Sequence, residues 1–345
     1  MAEGMLEDIL EQPDVILRIA KGDTGRLKEA SRLLNGRTQI FIAARGSSMN
    51  AGLYARYIFE TRSHISTSPV ILSTITLYGS IPSLDPKKSA LLAISQSGAG
   101  EDIVACAKAF RDSGIPTIAV TNTPSSPLGD CCDVVLDCMA GPERAIPATK
   151  SYTGELAMIY ALAEASMGNE DLGEILSDLA ERMRYIISIS DPVLEMAMRR
   201  KWMERLWVIS RGYNLPTALE VSLKVMETCY VHSIGISAAD FLHGPIAAFG
   251  DGDVAMLFSA GKGSSSSLGV GKALLGEGAD LIAFGDVGEL MARGAEGISL
   301  ELPIPEELTP ILLVLFGQFF ALGLARAKGL DPDRPRRLRK VTSTR

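Results

Sequence analysis

The stretch Ser89-Ala90-Leu91-Leu92-Ala93-Ile94-Ser95-Gln96-Ser97-Gly98 decides how this chain is read. Residues 89–94 form a short apolar run after Pro86-Lys87-Lys88, the pattern of a strand buried on both faces of a parallel sheet. Residues 99–113 follow with apolar side chains at helical spacing (Ile103, Val104, Ala107, Phe110), and Gly114 is the stop. Two serines and a glutamine therefore fall on a turn between a strand end and a helix start, where open α/β sheets bind ligands. Helix-start N–H groups with hydroxyls around them suit an anion, and phosphate is the usual occupant. A serine cap on a tight glycine turn would produce the same letters. A second turn weighs for the ligand: Phe41-Ile42-Ala43-Ala44-Arg45-Gly46-Ser47-Ser48 is again strand, glycine and hydroxyls, leading into a helical run over 50–61. Two such turns in one half-chain suggest one phosphate held from two sides.

Strand and helix patterns alternate around these turns. Residues 38–43, 69–72, 91–94, 117–120 and 134–136 read as strands, and 150–167 as a long helix. This alternation implies a doubly wound parallel sheet. Residues 169–192 read as a polar helical connector ending at Asp191-Pro192, after which the rhythm restarts. Trp207-Val208-Ile209-Ser210-Arg211-Gly212 repeats Phe41 to Gly46, residues 254–259 stand where 91–95 stood, and 279–284 match 116–120. The expected organisation is a tandem duplication: a helical segment 1–35, a first α/β domain 36–192, a second 193–330, and a tail 331–345. The second half's turns, Arg211 to Pro216 and Ser259 to Ser264, lack the paired hydroxyls, so the first half is the expected phosphate holder. The serine run 264–267 reads as a mobile loop.

With 345 residues, 47% of them hydrophobic and 22% charged, the chain has material for about two domains with sizeable cores. A net charge of −7 argues against a general nucleic-acid binder. The acidic N-terminus lacks a signal-type apolar region, and the apolar run 311–324, broken by Gly317 and Gln318, is too short to span a bilayer. Five cysteines, no CxxC and three histidines offer no set with metal-ligand spacing. Reduced, buried thiols and a cytoplasmic location are expected.

Glu220, Lys224 and Glu227 share one face of the helix opened by Pro216. They read either as a solvated ion-pair stripe or, given the apolar residues of 221–230, as a partly buried acid–base set suited to moving protons to and from carbon. His243 precedes Gly244-Pro245 at a loop, where a histidine is structural or catalytic; His232 reads as a core residue and His64 as surface. The basic tail from Asp331 through Lys340 reads as disordered, or as a lid over an anionic ligand whose amine reaches a carbonyl carbon.

Ala44-Arg45-Gly46-Ser47-Ser48, Ser95-Gln96-Ser97-Gly98, Ala145-Ile146-Pro147-Ala148-Thr149-Lys150, the segment Ala218 to Glu227, Phe241-Leu242-His243-Gly244-Pro245 and the tail through Leu338-Arg339-Lys340-Val341-Thr342 together resemble tandem sugar isomerase (SIS) domain proteins. The chain looks most like the isomerase half of glutamine–fructose-6-phosphate aminotransferase and the SIS-type glucosamine-6-phosphate deaminases, from about residue 35 onward. The resemblance implies an α/β fold of two tandem SIS domains, each a flavodoxin-like doubly wound parallel sheet flanked by helices. It implies a phosphate cup of Ser47, Ser48, Ser95, Gln96 and Ser97, and a substrate loop containing Glu143 and Ile146. Glu227 matches the carboxylate that shuttles a proton between C1 and C2, Lys224 a lysine lining the same site, His243 the ring-opening acid/base, and Lys340 a lysine able to form a Schiff base with a ketose. In this family the histidine reaches the site from the partner subunit, so a homodimer with a shared active site is expected. No metal or organic cofactor is implied, nor a nucleic-acid or membrane partner.

Two departures from the family pattern stand out. Gly100 lies near a position where the family often has Thr, so one phosphate donor is in doubt. The sequence shows no amidotransferase half and no Cys at position 2, which favours ammonia release over synthesis from glutamine. The expected activity is conversion of glucosamine 6-phosphate to fructose 6-phosphate and ammonia. The alternatives are a fructosamine-phosphate deglycase, an aldose–ketose phosphosugar isomerase, or, from another class, a non-catalytic phosphosugar sensor.

Overall fold

The computed structural model describes residues 3–22, 24–169 and 171–340. Three helices open the chain: α1 (Gly4–Leu10), α2 (Gln12–Ala20) and α3 (Thr24–Leu34). The first alternating series is β1 (Gln39–Ala43), α4 (Gly46–Thr61), β2 (Ser66–Pro69), α5 (Leu72–Thr76), β3 (Ser89–Ile94), α6 (Glu101–Asp112), β4 (Thr117–Thr121), α7 (Pro127–Cys131), β5 (Val134–Asp137) and α8 (Lys150–Ser166). After α9 (Gly173–Ser188) and α10 (Asp191–Arg199) comes the second: β6 (Arg205–Ser210), α11 (Leu215–Cys229), β7 (His232–Ser237), α12 (Ala238–Leu242), β8 (Asp253–Ser259), α13 (Ser264–Gly276), β9 (Asp280–Gly285), α14 (Gly288–Met291), β10 (Glu296–Ser299) and α15 (Thr309–Ala327).

Each series builds a five-stranded sheet, ordered β2-β1-β3-β4-β5 in the first and β10-β9-β8-β6-β7 in the second. Every pairing in both is parallel. Read from β7, the second order repeats the first, so the duplicated sequence is a duplicated topology of the flavodoxin type. The strands are apolar because helices cover both faces: β3 is buried at all six positions, and β8 at all seven.

The chain divides into two compact units. Of the described residues, one holds those of 11–143, 150–180 and 339–340 around the first sheet; the other holds 3–10, 144–149 and 181–338 around the second. In the first, Phe41 and Ala43 of β1 pack with Leu91, Ile103 and Phe110. Gly52 of α4 lies against Ile42 on the opposite face, where a Cβ would stand 3.0 Å from Ile42 Cγ2. In the second unit, Trp207, Ile209, Phe241, Leu257 and Leu274 form one core layer. On the other face α15 closes on α11 at Gly317, where a Cβ would fall 2.0 Å from Val221 Cγ2. The apolar segment 306–327 is long enough to cross a membrane, but its apolar window is 100% buried, so its composition answers to core packing.

Local expectations needed correction at several points. Residues 69–72 read as a strand, yet the pairing of β2 with β1 runs from Ser66 to Pro69, and Leu72 starts a helix whose first residue enters the core. The serine run 264–267 is the first turn of α13, with Ser259 Oγ donating to Ser264 Oγ at 3.1 Å. His232 is the exposed first residue of β7, an edge strand whose register pairs it with the exposed Arg205 of β6, rather than a core residue.

Candidate active site

In the first-sheet unit, the two hydroxyl-rich turns follow β1 and β3, the neighbours at which strand order reverses. Helix α4 begins at Gly46, four residues before the sequence pattern suggests, so Ser47 and Ser48 lie in its first turn. There N–H groups have no partner within the helix. Gly46 (φ +54°) and Gly98 (φ +59°) adopt left-handed backbone. A Cβ on Gly98 would stand 2.0 Å from Ser126 Oγ, so only glycine admits this turn.

The five residues expected to form a phosphate cup divide into two kinds. Ser48 and Ser95 are buried and engaged in structure: Ser48 Oγ donates to Glu155 Oε1 at 2.8 Å, and Ser95 Oγ accepts from Gly98 N at 3.2 Å. Ser47, Gln96 and Ser97 are half-buried. Ser97 Oγ accepts from Ala99 N at 3.3 Å, and the Gln96 carbonyl accepts from Asn122 N at 3.1 Å. Arg45, half exposed at the mouth of the β1 turn, holds Asp102 Oδ2 through Nε at 2.9 Å. The sequence reading gave this arginine no role. A cavity of about 610 Å³ in the same unit, lined by Ile19, Leu27, Leu136, Met139 and Met158, includes none of these five residues.

The same unit fixes Glu143. Its fully enclosed side chain accepts from the Ser151 hydroxyl and backbone N–H, and Lys340 Nζ lies 3.8 Å from Oε2. Lys150, the residue before Ser151 and buried at the start of α8, reaches Glu11 Oε2 at 2.6 Å. Lys150 stands in a motif singled out by resemblance, but its spacing gave no hint of a partner 139 residues away.

In the second-sheet unit, Glu220, Lys224 and Glu227 do share a face of α11, and that face is buried. Lys224 Nζ lies 2.5 Å from Glu227 Oε2 and 3.4 Å from Glu220 Oε1. Lys224 and Glu220 are fully buried, while the Glu227 side chain keeps 21% exposure. A solvated stripe is thereby set aside: one carboxylate is enclosed, and the other can meet a ligand. Tyr230, left-handed at φ +56°, ends the helix. Its hydroxyl accepts from Arg336 N at 2.8 Å, and the Arg336 guanidinium stacks 4.1 Å from its ring centre. Asp333 anchors the same tail by accepting from Gly4 N and Met5 N at 3.0 and 2.7 Å, and its carbonyl accepts from Ile146 N at 2.9 Å. The tail is thus ordered through Lys340. His243, at the end of α12, is exposed, and Gly244 beside it (φ +134°) turns the chain away.

All five cysteines are buried and free. Burial pushes the thiols of Cys106, Cys132 and Cys229 up to about 12. Among the described residues no group of three or more His, Cys, Asp or Glu could hold a metal ion.

The SIS domain family pattern matches residues 33–165 and 200–314, and the chain belongs to this family. It is 32% identical over 344 residues to glutamine–fructose-6-phosphate aminotransferase (isomerizing) of Pyrococcus horikoshii, covering 97% of this chain and 57% of that protein. It is 33% identical over 355 residues to the protein of the same name from Gloeobacter violaceus, covering 97% and 58%. The chain thus spans rather more than half the length of these relatives. Among solved structures, a candidate phosphosugar isomerase from Silicibacter pomeroyi superposes with a TM-score of 0.85 at 26% identity, covering 96% of this chain and all of that one. The glucosamine-6-phosphate deaminase of Thermotoga maritima shares the fold, with a TM-score of 0.73 at 20% identity over 99% of this chain and 100% of its own.

Proposed function

We propose that this chain is an enzyme of the phosphosugar isomerase type, and that its reaction is isomerising deamination of glucosamine 6-phosphate to fructose 6-phosphate and ammonia. The observation that carries the reading is the Lys224–Glu227 pair: a carboxylate with one accessible edge, oriented by a buried ammonium 2.5 Å away. Such a group can take a proton from one carbon and return it to the next. The hydroxyl-rich turns after β1 and β3 supply the phosphate grip, which spends binding energy remote from the reacting carbons on positioning. Likeness to aminotransferases of the isomerizing type over 97% of the chain supports a sugar-phosphate substrate.

In this mechanism His243 opens the pyranose ring. Glu227 moves the proton from C2 to C1 as the amino-bearing carbon becomes an imine. Water adds at C2, and ammonia leaves as the ketose forms. Lys224 and Lys340 supply positive charge where sugar oxygens become negative. Ring opening by a histidine from a second copy makes the working form a homodimer.

The test is ammonia release from purified protein given glucosamine 6-phosphate, with fructose 6-phosphate measured in the same tube. Equal amounts of both products are expected, and Glu227→Gln should abolish them. Absence of ammonia in protein that binds the sugar phosphate would overturn the deaminase reading and direct the assay to fructosamine phosphates and plain aldose–ketose pairs.

A further inference from the structure

The second sheet reverses its strand order between β6 and β8, as the first does between β1 and β3. In sheets of this topology the crevice at the reversal is where ligands bind. The turns that border it are built alike. Gly212 follows β6 at φ +67° and Gly261 follows β8 at φ +62°, as Gly46 and Gly98 do in the first sheet.

What fills the two crevices differs. At the turns after β3 and β8 a Cβ is blocked alike, at 2.0 Å, but by the Ser126 hydroxyl over Gly98 and by the Glu306 carboxylate group over Gly261; at the turns after β1 and β6, a Cβ on Gly46 would meet nothing within 4 Å. Glu306 Oε1 accepts from Lys262 N at 3.0 Å, and a Cβ on Gly212 would stand 3.8 Å from that same oxygen. The chain's own carboxylate is therefore seated at both turns. The seat is rigid. The turns touch at Gly263, where a Cβ would be 2.6 Å from the Arg211 carbonyl oxygen. Asn214 Nδ2 donates to Thr309 Oγ1 at 2.8 Å, and Thr309 Oγ1 donates to the Glu306 carbonyl at 2.7 Å. Each turn also carries an exposed cation, Arg211 before Gly212 and Lys262 after Gly261, and among the described residues neither side chain makes an ion pair. An anion is thus held by a backbone N–H in a crevice bordered by two unspent positive charges, more charge than one carboxylate neutralises.

We propose that the crevice between β6 and β8 is a second anion site, selective for a phosphate group, which Glu306 occupies as an internal ligand. Its ligands are inorganic phosphate or a phosphate monoester, which bring the second negative charge that Glu306 lacks. The site is independent of the reaction assigned above.

The experiment is isothermal titration of the full chain with inorganic phosphate at low ionic strength. Glu306→Ala is expected to bind one more phosphate per chain than the parent, and adding Arg211→Ala with Lys262→Ala should remove it. Ser47→Ala with Ser97→Ala, placed on the Glu306→Ala background, should leave the added phosphate in place, so failure of the first cup is told apart from failure of this one. Repeating the titration with glucosamine 6-phosphate separates a site for free phosphate from one that admits the ester. If Glu306→Ala does not fold, Glu306→Gln keeps the size and removes the charge, and should take the added phosphate at a concentration at least tenfold below the parent. An unchanged stoichiometry and affinity in a folded Glu306 variant would overturn the proposal.

Discussion

Ser48 Oγ donates to Glu155 Oε1 across 2.8 Å, joining the first turn of α4 to the middle of α8. Of the two serines that look interchangeable in the Ser47-Ser48 pair, Ser48 is therefore a buried structural strut, while Ser47 keeps partial exposure.

Ser48→Ala should accordingly lower stability rather than simply weaken binding. It takes a donor from a carboxylate that is 1% exposed, a loss of about 1–3 kcal/mol. Ser97→Ala, at a half-buried position, should leave the denaturation midpoint unchanged and raise KM for the sugar phosphate several-fold. Urea melts beside steady-state kinetics check both; equal midpoints for the two variants would contradict the division.

Lys224 is the cation between two carboxylates, one of them fully enclosed. Lys224→Met leaves buried negative charge without it and should cost about 3–5 kcal/mol. Glu227→Gln, which removes one negative charge at a partly exposed position, should fold with a midpoint near the parent's and lose at least a hundredfold in kcat. Retained turnover in that variant would remove Glu227 from the mechanism.

Gly98→Ala tests the turn itself. The added methyl meets Ser126 Oγ at 2.0 Å from a left-handed backbone. The turn must shift, and with it the N–H groups and Ser97. Loss of sugar-phosphate binding by calorimetry, with the far-ultraviolet dichroism kept, is the expected result.

The buried thiols set a limit in alkali. Cys106, Cys132 and Cys229 sit at about 12 in the folded chain, raised by burial from 9.0. Between pH 9 and 12 the unfolded chain loses these protons and the folded one keeps them, so the folded state loses stability as pH rises through that window. The expected readouts are a falling urea midpoint above pH 9 and no reaction of native protein with a disulfide reagent at pH 8. Prompt labelling of any of the three would contradict their burial.

The sequence carried the two sheets far. Apolar runs such as 89–94, glycines at 46, 98 and 212, and the repeated Arg-Gly after β1 and β6 are local signals, and local sterics turn them into strands and left-handed turns wherever the chain goes. The Lys224–Glu227 face was legible for the same reason, since helical spacing is a property of neighbours. Strand edges were less legible: β2 is set by its pairing with β1, and its own letters Ser66-Thr67-Ser68-Pro69 carry no apolar run.

What the sequence alone determined, then, is the duplicated parallel α/β architecture and the residue types on its turns. What only the tertiary structure decided is which of those groups are spent on the protein itself. Ser48 meets Glu155, Lys150 meets Glu11, Asp333 meets the start of α1, and Glu306 enters the second crevice. These partners lie from 44 to 329 residues apart. No period or spacing encodes them, because they follow from helices packing on a finished sheet, where every buried polar group must find a partner.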